Sequence, residues 1–268
     1  MASRVFAALL KYWRGRRGLS QLDLALEAGV SPRHVSFLES GRSQPGPAMV
    51  RRLLGVLRVS LREQNQALRA AGFEPSFAEP AYDALPPDID AALGHLLEHH
   101  EPYPMTVVTP DGSVVRANDA APRVFGAFVA DPSALPRPLD MVSLLFDPRL
   151  MRPFILDWDT LAHAVVTRLQ RERLEREDPR LTRALERALA FPGVPRAWKT
   201  PDLSRDAAPA LSVRLRRDRL RVAFLLTLTT LSAPQQVTLE ELRIEAALPL
   251  DEETRRVCRR LARGPRRR

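Results

Sequence analysis

The sequence predicts two domains of different class, an all-α domain at residues 1–72 and an α+β domain at residues 88–262. Three observations lead to this division. Up to residue 72, apolar residues recur at helical spacing in short segments separated by glycine, serine or proline. The proline-rich stretch that follows, residues 73–87, is typical of a linker. Beyond it, segments that alternate apolar with polar residues indicate β-strands among further helices.

Length and composition are those of a globular protein with two modest domains. The 268 residues are 45% hydrophobic and 27% charged, unlike a disordered or fibrous chain. No apolar run reaches the roughly 20 residues that a membrane-spanning helix needs, and the N-terminus matches a signal peptide only weakly. The single cysteine, Cys258, excludes an internal disulfide. We therefore expect a cytoplasmic protein without membrane insertion.

The net charge of +9 is unevenly distributed along the chain. Residues 1–72 contain 12 Lys or Arg and 4 Asp or Glu, a net charge of +8, whereas residues 73–252 carry −6 and residues 253–268 carry +7. A basic first domain favours a polyanionic partner such as double-stranded DNA, because attraction to phosphates supplies much of nucleic-acid affinity. The arginines from Arg255 onwards either add nonspecific DNA contacts or form a solvated tail, and we expect a basic tail at residues 263–268.

Five helices are predicted in the first domain. Ser20 and Ser31 stand where N-caps are needed, and Pro32 at a first helical position loses no hydrogen bond. Gly29 and Gly41 end the second and third helices, since glycine adopts the left-handed conformation without strain. The predicted helices cover residues 4–16, 21–28, 32–40, 47–57 and 61–71.

The second and third of these helices form a pair whose outer side stays open. Val35 and Leu38 of the third helix point into the core, so its opposite face is free to enter a major groove. The residues on that face are Arg33, Ser36, Phe37 and Ser40, and His34 lies beside it. Arg33 is suited to a bidentate contact with guanine and Phe37 to a thymine methyl group, and Ser36 or His34 suits base edges or phosphate.

Residues 18–42 resemble the XRE family of helix-turn-helix regulators, of Cro and lambda-repressor type. The resemblance implies a lambda-repressor-like fold, phosphate contacts by Gln21 and Arg42, and a structural role for Glu39. A helical module that binds protein instead of DNA is the alternative. The predicted DNA contacts are Gln21, Ser31, Arg33, His34, Ser36, Phe37 and Arg42.

The second domain is predicted to open with an amphipathic helix and a β-hairpin. The helix covers residues 88–99, and strands at residues 105–109 and 114–117 flank the turn signal Pro110-Asp111-Gly112. Further helices are predicted at residues 118–128, 150–177 (as one helix or two, with Leu161, Val165, Val166 and Leu169 on one face) and 179–190. Strands are predicted at residues 211–215, 220–231 and 237–247, although residues 239–243 fit a short helix equally well.

Several segments of this domain resemble the MmyB-like ligand-binding domain that often follows such a helix-turn-helix in bacteria. They include residues 114–118, 120, 125–126, 141–148, 151–152, 157–158, 162–170, 178–179 and 198. The resemblance implies a PAS-like α+β fold, in which an antiparallel sheet and helices enclose an apolar cavity for a fatty-acid-like ligand.

Apolar and aromatic residues are the candidates for the wall of this cavity, although each of them is also a plausible core residue. They are Met105, Val107, Phe125, Phe128, Met141, Leu145, Phe146, Phe154, Trp158, Phe224, Leu226 and Leu228. Arg152 lies beside this set in the sequence. It is suited to a carboxylate head group, or to an ion pair with Asp147 or Asp157.

We therefore expect a non-enzymatic, sequence-specific DNA-binding transcription regulator, a homodimer that responds to a small apolar effector. The alternative is a DNA-binding scaffold whose C-terminal domain binds a protein partner. A histidine cluster at residues 95–100 has His95 and His99 at a metal-binding spacing, but no further ligand completes a site. Cys258 would have a lowered thiol pKa only if exposed. We expect neither a metal nor a cofactor, apart from a bound fatty acid or similar lipophilic ligand.

Overall fold

The computed structural model describes residues 2–175, 178–201, 211–232 and 234–263. The chain divides into two compact units. Unit 1 comprises Met1–Ala81 and Ser232–Glu240, and unit 2 comprises Tyr82–Leu231 and Glu241–Arg268. Of the tail expected at residues 263–268, only Arg263 is among the described residues.

Unit 1 contains the five predicted helices. They are α1 (Ala2–Arg16), α2 (Gln21–Ala28), α3 (Pro32–Glu39), α4 (Pro47–Val56) and α5 (Leu61–Ala70), each within two residues of its predicted bounds. The predicted caps are confirmed, because the hydroxyl oxygens of Ser20 and Ser31 accept hydrogen bonds from the backbone N–H groups of Asp23 and His34, both at 3.1 Å. Gly29 ends α2 with φ of 60°, a conformation that favours glycine.

The apolar faces of these helices meet in one core. Its fully buried side chains include Phe6, Leu10, Leu24, Ala25, Val35, Leu38, Leu53, Leu54 and Leu68. Burial stabilises a large apolar side chain by about 1.5–3 kcal/mol. Helices as short as α2 and α3, with eight residues each, are marginal in isolation, so this shared core is what holds them.

Part of the predicted linker is held on unit 1 by Asn65 of α5. The Asn65 Oδ1 accepts hydrogen bonds from the backbone N–H groups of Ser76 and Phe77, both at 3.1 Å, and its Nδ2 donates to the carbonyl of Phe77 at 2.7 Å. Asn65 is fully buried. One amide side chain thus provides hydrogen-bond partners for backbone groups of a segment that has no helix or strand of its own. The linker bounds of residues 73–87 stay a prediction.

The chain after α5 alternates helices and strands. The elements are α6 (Pro87–His99), β1 (Met105–Val108), β2 (Val114–Ala117), α7 (Ala120–Gly126), α8 (Met141–Phe146), β3 (Ile155–Leu156), α9 (Trp158–Glu175), α10 (Pro179–Ala190), β4 (Leu211–Arg217), β5 (Leu220–Thr229), α11 (Val237–Glu241), β6 (Arg243–Pro249) and α12 (Glu252–Ala262). Apart from most of α11, which groups with unit 1, all of them belong to unit 2.

The six strands form one antiparallel sheet in the order β2-β1-β6-β5-β4-β3. The predicted hairpin is confirmed: β1 pairs with β2 across a turn in which Gly112 has φ of 84°. β6 follows β5 in the chain and lies between β1 and β5. With α9 against β4 and α12 against β5, unit 2 has an α+β, PAS-like architecture.

The predicted helix at residues 150–177 is wrong in its first part. A 3₁₀ turn at Arg152–Phe154 and strand β3 occupy that stretch, and α9 begins only at Trp158. Two local features explain this. Pro153 lacks the N–H that a helix interior needs, and Asp157 has φ of 55°, outside the helical region. Residues 176–177, at the predicted end, are outside the described residues.

The C-terminal arginines up to Ala262 form helix α12, which the sequence analysis did not predict. The Asp251 carboxylate caps this helix by accepting a hydrogen bond from the backbone N–H of Thr254 at 2.7 Å. The helix buries Thr254, Val257 and Cys258 and exposes its arginines. Burial raises the pKa of the Cys258 thiol to about 11, so the condition for a lowered pKa, an exposed thiol, is not met.

Residues 237–247 combine the two predicted alternatives, a short helix (α11) and then a strand (β6). Among the described residues, no helix combines the length and the apolar character that crossing a bilayer requires.

Candidate nucleic-acid interface and ligand cavity

Helix α3 has one face in the core and one on the surface of unit 1. Val35 and Leu38 are buried, as predicted. Of the predicted DNA contacts, Ser31, Arg33 and Arg42 are exposed, and Gln21, His34, Ser36 and Phe37 are half-buried. With eight residues, α3 is about 12 Å long, which is close to the width of a B-DNA major groove.

Two of these predicted contacts already serve unit 1 itself. The Ser31 hydroxyl oxygen caps α3, as described above, but its proton remains available to a phosphate oxygen. The Gln21 Nε2 donates a hydrogen bond to Glu39 Oε2 at 2.7 Å. An amide nitrogen carries two N–H groups, so Gln21 retains one for a phosphate.

Glu39 connects the helices that carry the exposed face. Arg14 of α1 donates from Nε to Glu39 Oε1 at 2.6 Å and from Nη2 to Oε2 at 3.0 Å, and Gln21 adds the bond from α2. Burial alone would raise the pKa of Glu39, but the hydrogen bonds from Arg14 and Gln21 outweigh it and keep that pKa below its ordinary value. Glu39 therefore stays ionised and fixes the end of α3, the structural role that was expected.

Phe37 lies between two guanidinium groups. The Cζ atoms of Arg33 and Arg42 are 5.2 Å and 6.0 Å from the centre of its ring, within the range of cation–π attraction. The outer side of α3 thus presents an aromatic ring flanked by two positive charges. Guanidinium groups suit guanine edges and phosphates, and a ring suits a thymine methyl group.

Unit 2 contains an apolar cavity of about 50 Å³. Its wall comprises Pro104, Thr106, Pro110, Asp111, Gly112, Phe125, Met141, Val142, Leu145, Met151, Val165, Arg168, Leu169, Leu211, Val213, Leu226, Glu245 and Ala247. Sites for drug-sized ligands are larger, about 300–1,000 Å³. A ligand of more than a few heavy atoms would therefore have to displace side chains, and the flexible thioethers Met141 and Met151 are suited to such movement.

The sheet and helix α9 form two facing sides of this cavity. On the sheet, Glu245 and Ala247 of β6 alternate with residues on the other face, and in the strand register Thr106 lies opposite Glu245. On α9, Val165, Arg168 and Leu169 follow one another at helical spacing.

Polar groups meet where α9 faces β6. The Arg168 Nη1 lies 3.3 Å from Glu245 Oε1, and its Nε lies 3.9 Å from Glu172 Oε1. The Nε is shielded from solvent and has no hydrogen-bond partner among the described residues. An unsatisfied buried donor costs about 1–3 kcal/mol, so a ligand atom that accepts from it would be favoured.

Four of the predicted ligand contacts line the cavity: Phe125, Met141, Leu145 and Leu226. Those outside its wall are Met105, Val107, Phe128, Phe146, Arg152, Phe154, Trp158, Phe224 and Leu228. Met105 and Val107 flank Thr106 in β1, so the alternation of a strand turns them to the other face of the sheet.

The predicted aromatic residues outside the cavity mostly pack on one another. Phe146 and Trp158 meet edge to face with ring centres 5.8 Å apart, and Phe128 and Phe154 do so at 6.5 Å. Phe224 meets Phe125 in the same way at 6.2 Å. These rings form the core beside the cavity, which is the alternative to a ligand contact that the sequence analysis left open for them.

Arg152 is also placed away from the cavity. Its guanidinium stacks on the Trp158 ring, with Cζ 3.6 Å from the ring centre. Its Nη1 donates hydrogen bonds to the carbonyls of Phe146 and Pro192. Burial lowers the pKa of Arg152. The predicted alternatives are not formed either, since Asp147 pairs with Arg149 and Asp157 lies 4.0 Å from Arg214.

The sequence analysis missed the polar residues of the cavity, although signals for two of them were present. Arg168 lies three positions after Val165, on a helix face that was predicted to be apolar. Thr106 alternates with Met105 and Val107 in the predicted strand, so assigning the other face of that strand to the cavity would have found it. Glu245 had no such signal, because the predicted strand at residues 237–247 began in the segment that forms α11.

The histidine cluster of α6 has no metal-binding arrangement. The His95 and His99 rings are 3.9 Å apart, and the His99 Nδ1 lies 2.8 Å from the carbonyl oxygen of His95. Within the described residues, no three His, Cys, Asp or Glu side chains are placed to hold a metal ion.

Comparisons with known proteins match both parts of the chain. The family described as MmyB-like transcription regulator ligand binding domain matches residues 89–261, and the helix-turn-helix family matches residues 10–64. No curated protein matches the chain. A solved structure described as an RNA-binding Light-Oxygen-Voltage receptor is 17% identical with a TM-score of 0.26, over 95% of this chain and 56% of that chain. The chain thus spans about half of that receptor.

Proposed function

Because the chain belongs to the MmyB-like transcription regulators, which here join a DNA-binding helix-turn-helix to a ligand-binding domain, we propose that it binds specific DNA sequences through α3. In this proposal, a small apolar effector in the cavity of unit 2 alters the binding of DNA. The observation that carries the DNA part is the exposed outer side of α3, with Arg33, Phe37 and Arg42, in a segment of net charge +8. Backbone attraction gives affinity, and base contacts from α3 give specificity.

The protein acts as a homodimer in this proposal. A single helix of eight residues reads only a few base pairs, and helix-turn-helix dimers extend the site by placing two recognition helices about one turn of DNA apart. The expected site is an inverted repeat with half-site centres about 10 base pairs apart.

A selection experiment with the full-length protein and a pool of random duplexes tests the DNA part. We expect an enriched inverted repeat. Enrichment of a single, unrepeated half-site would refute the dimer and leave specific binding intact. A pool that shows no enrichment, at low as well as at moderate salt, would refute specific binding itself.

The effector part is supported by the apolar wall of the cavity, and the resemblance suggests a fatty-acid-like ligand. The chain itself connects the cavity to unit 1, because Ser232–Glu240, shortly before β6, belongs to unit 1. Glu245 and Ala247 line the cavity on β6, and Glu240, just before this strand, accepts a hydrogen bond from the backbone N–H of Leu61 at the start of α5 at 2.9 Å. A shift of β6 would thus be transmitted to the N-terminus of α5 through only a few residues.

An NMR titration with n-hexane tests whether the cavity takes an apolar ligand. We expect saturable shifts of the cavity methyl groups in the wild type and their loss in Ala247→Leu, because the larger side chain fills the space. Ala92→Leu, at an exposed position of α6, is the control and should bind like the wild type. Absence of saturable shifts in the wild type would refute the apolar-effector site.

The small size of the cavity favours one alternative, a scaffold whose second domain binds a protein partner. A domain of that kind needs no internal ligand. The same titration decides between the two, since the scaffold predicts no saturable binding of n-hexane.

A further inference from the structure

We propose that Arg168, Glu245 and Thr106 form the head-group end of the cavity, and that they select an uncharged head group with a hydrogen-bond acceptor and a donor, such as an amide or an alcohol, over a free carboxylate. This inference rests on the proposed effector site and names the chemistry of its ligand: among fatty-acid-like ligands, it favours a neutral derivative with the same alkyl chain over the free acid.

The three residues come from facing sides of the cavity. Thr106 on β1 and Glu245 on β6 are opposite each other in the strand register, which places side chains on one face of a sheet about 5 Å apart. Arg168 approaches from α9 and reaches Glu245 with Nη1 at 3.3 Å. The side chains of Arg168 and Glu245 are 36% and 15% exposed, so this end of the cavity is partly accessible to solvent.

The hydrogen-bonding capacity of these groups is only partly used. The Arg168 Nε is buried and has no acceptor in the described part of the chain. A ligand carbonyl or hydroxyl oxygen that accepts from it would remove the cost of an unmade bond. The Glu245 carboxylate has room for more donors than Arg168, because two oxygens offer about four acceptor positions. The Thr106 hydroxyl donates and accepts.

The charges at this end disfavour an anion. The single guanidinium of Arg168 has two carboxylates beside it, Glu245 at 3.3 Å and Glu172 at 3.9 Å. A ligand carboxylate would therefore meet a positive charge that is already compensated, and it would add a like charge next to Glu245. A neutral head group makes the same hydrogen bonds without that repulsion.

The test compares ligands that share one alkyl chain. The full-length protein is titrated with hexanamide, hexan-1-ol and hexanoate at pH 7.5, and dissociation constants are taken from the shifts of the cavity methyl groups. We expect the amide and the alcohol to bind at least about fivefold more tightly than the carboxylate, the effect of one like charge at about 4 Å even in bulk water. Equal or tighter binding of hexanoate overturns the proposal.

Variants identify the residues responsible. Glu245→Gln keeps an acceptor and removes the charge, so hexanoate should gain affinity and approach hexanamide to within about twofold. The matched control is Glu98→Gln, an exposed glutamate of α6, which should leave the wild-type ratio unchanged. An unchanged ratio in Glu245→Gln would overturn the assignment of Glu245. Arg168→Met should bind hexanamide no better than n-hexane, and a retained preference for the amide would overturn the assignment of Arg168.

Binding of n-hexane separates failure of this inference from failure of the effector site. If n-hexane binds the wild type and hexanoate binds as well as hexanamide, the cavity stands and the head-group selection is wrong. If n-hexane and all three derivatives fail to bind, the effector site itself is wrong, and the selection falls with it.

Discussion

The single side chain of Glu39 fixes the position of α3 relative to α1 and α2. Its two carboxylate oxygens accept hydrogen bonds from Arg14 and Gln21, so helices α1, α2 and α3 meet at one charged group. Charge-assisted bonds of this kind are stronger than neutral ones. Removal of the carboxylate would be destabilising, because the partly buried donors of Arg14 and Gln21 would lose their acceptor.

We predict that Glu39→Ala lowers the free energy of unfolding of unit 1 by about 2–4 kcal/mol. Hydrogen–deuterium exchange of peptides from α1 to α3 in urea measures this. Glu27→Ala, an exposed glutamate of α2, is the control and should cost less than about 0.5 kcal/mol.

The same contact makes stability depend on pH. Because the pKa of Glu39 is lowered in the folded protein, its contribution is present above the ordinary pKa of glutamate, about 4.3, and is lost as the pH falls through the lowered value. Unit 1 of Glu39→Ala should therefore lose less stability on acidification than the wild type. Parallel pH profiles for the two proteins would contradict this account of Glu39.

At the scale of one residue, the sequence predicted the exterior of α3 better than the cavity. Val35 and Leu38 define the inward side of α3 by helical phase alone, so the outward residues follow. Arg152 and Arg168 could not be distinguished in this way, because both stand beside apolar residues in the sequence. Only the three-dimensional arrangement shows that the first stacks on Trp158 and the second faces Glu245.

At the scale of an element, the many arginines of α12 obscured the pattern of buried residues that marks it as a helix of the fold. Arginines dominate this helix and suggested a solvated tail, but Thr254, Val257 and Cys258 recur at helical spacing and are buried. A stripe of these three side chains gives a weak signal, since it is shorter and less apolar than the buried face of α10, which comprises Leu181, Ala184, Leu185 and Ala188. The contacts of α12 with β5 and α7 are formed between segments far apart in the chain, which no local pattern predicts.

We predict that Val257→Ser destabilises unit 2 by about 2–3 kcal/mol, because it removes buried methyl groups and introduces a hydroxyl without a prepared partner. Thermal unfolding monitored by calorimetry measures the effect. Arg256→Ser, at the exposed neighbouring position, should change stability by less than about 0.5 kcal/mol. Equal stabilities of the two variants would show that α12 does not contribute to the fold of unit 2.

At the scale of the whole molecule, the two units do not correspond to two continuous segments of the chain, because unit 1 includes a segment from late in the sequence. The sequence analysis placed residues 88–262 in one continuous domain, a division that remains a prediction, whereas Ser232–Glu240 groups with unit 1 in the structure. In that segment the backbone N–H of Val237 donates to the carbonyl of Ala78 at 2.9 Å. Periodicity and turn signals cannot reveal this pairing, because the two positions are far apart in the sequence.

This arrangement predicts that a residue late in the chain stabilises a helix near its start. Glu240→Ala should weaken the N-terminus of α5 by about 1 kcal/mol, the usual worth of a capping hydrogen bond. Hydrogen–deuterium exchange at residues 61–65 measures this. Glu253→Ala, an exposed glutamate of α12, is the control, and equal exchange in the two variants would contradict the role of Glu240.

Fluorescence anisotropy with the selected duplex tests whether the outward side of α3 reads the DNA sequence. Arg33→Ala in the full-length protein should bind the selected site with about 1–3 kcal/mol less affinity and accept other bases at one position. Arg69→Ala, which removes the same charge from α5, should weaken binding to all sequences alike, and only slightly. If Arg33→Ala retains the affinity and the base preference of the wild type, α3 does not read DNA in the manner described.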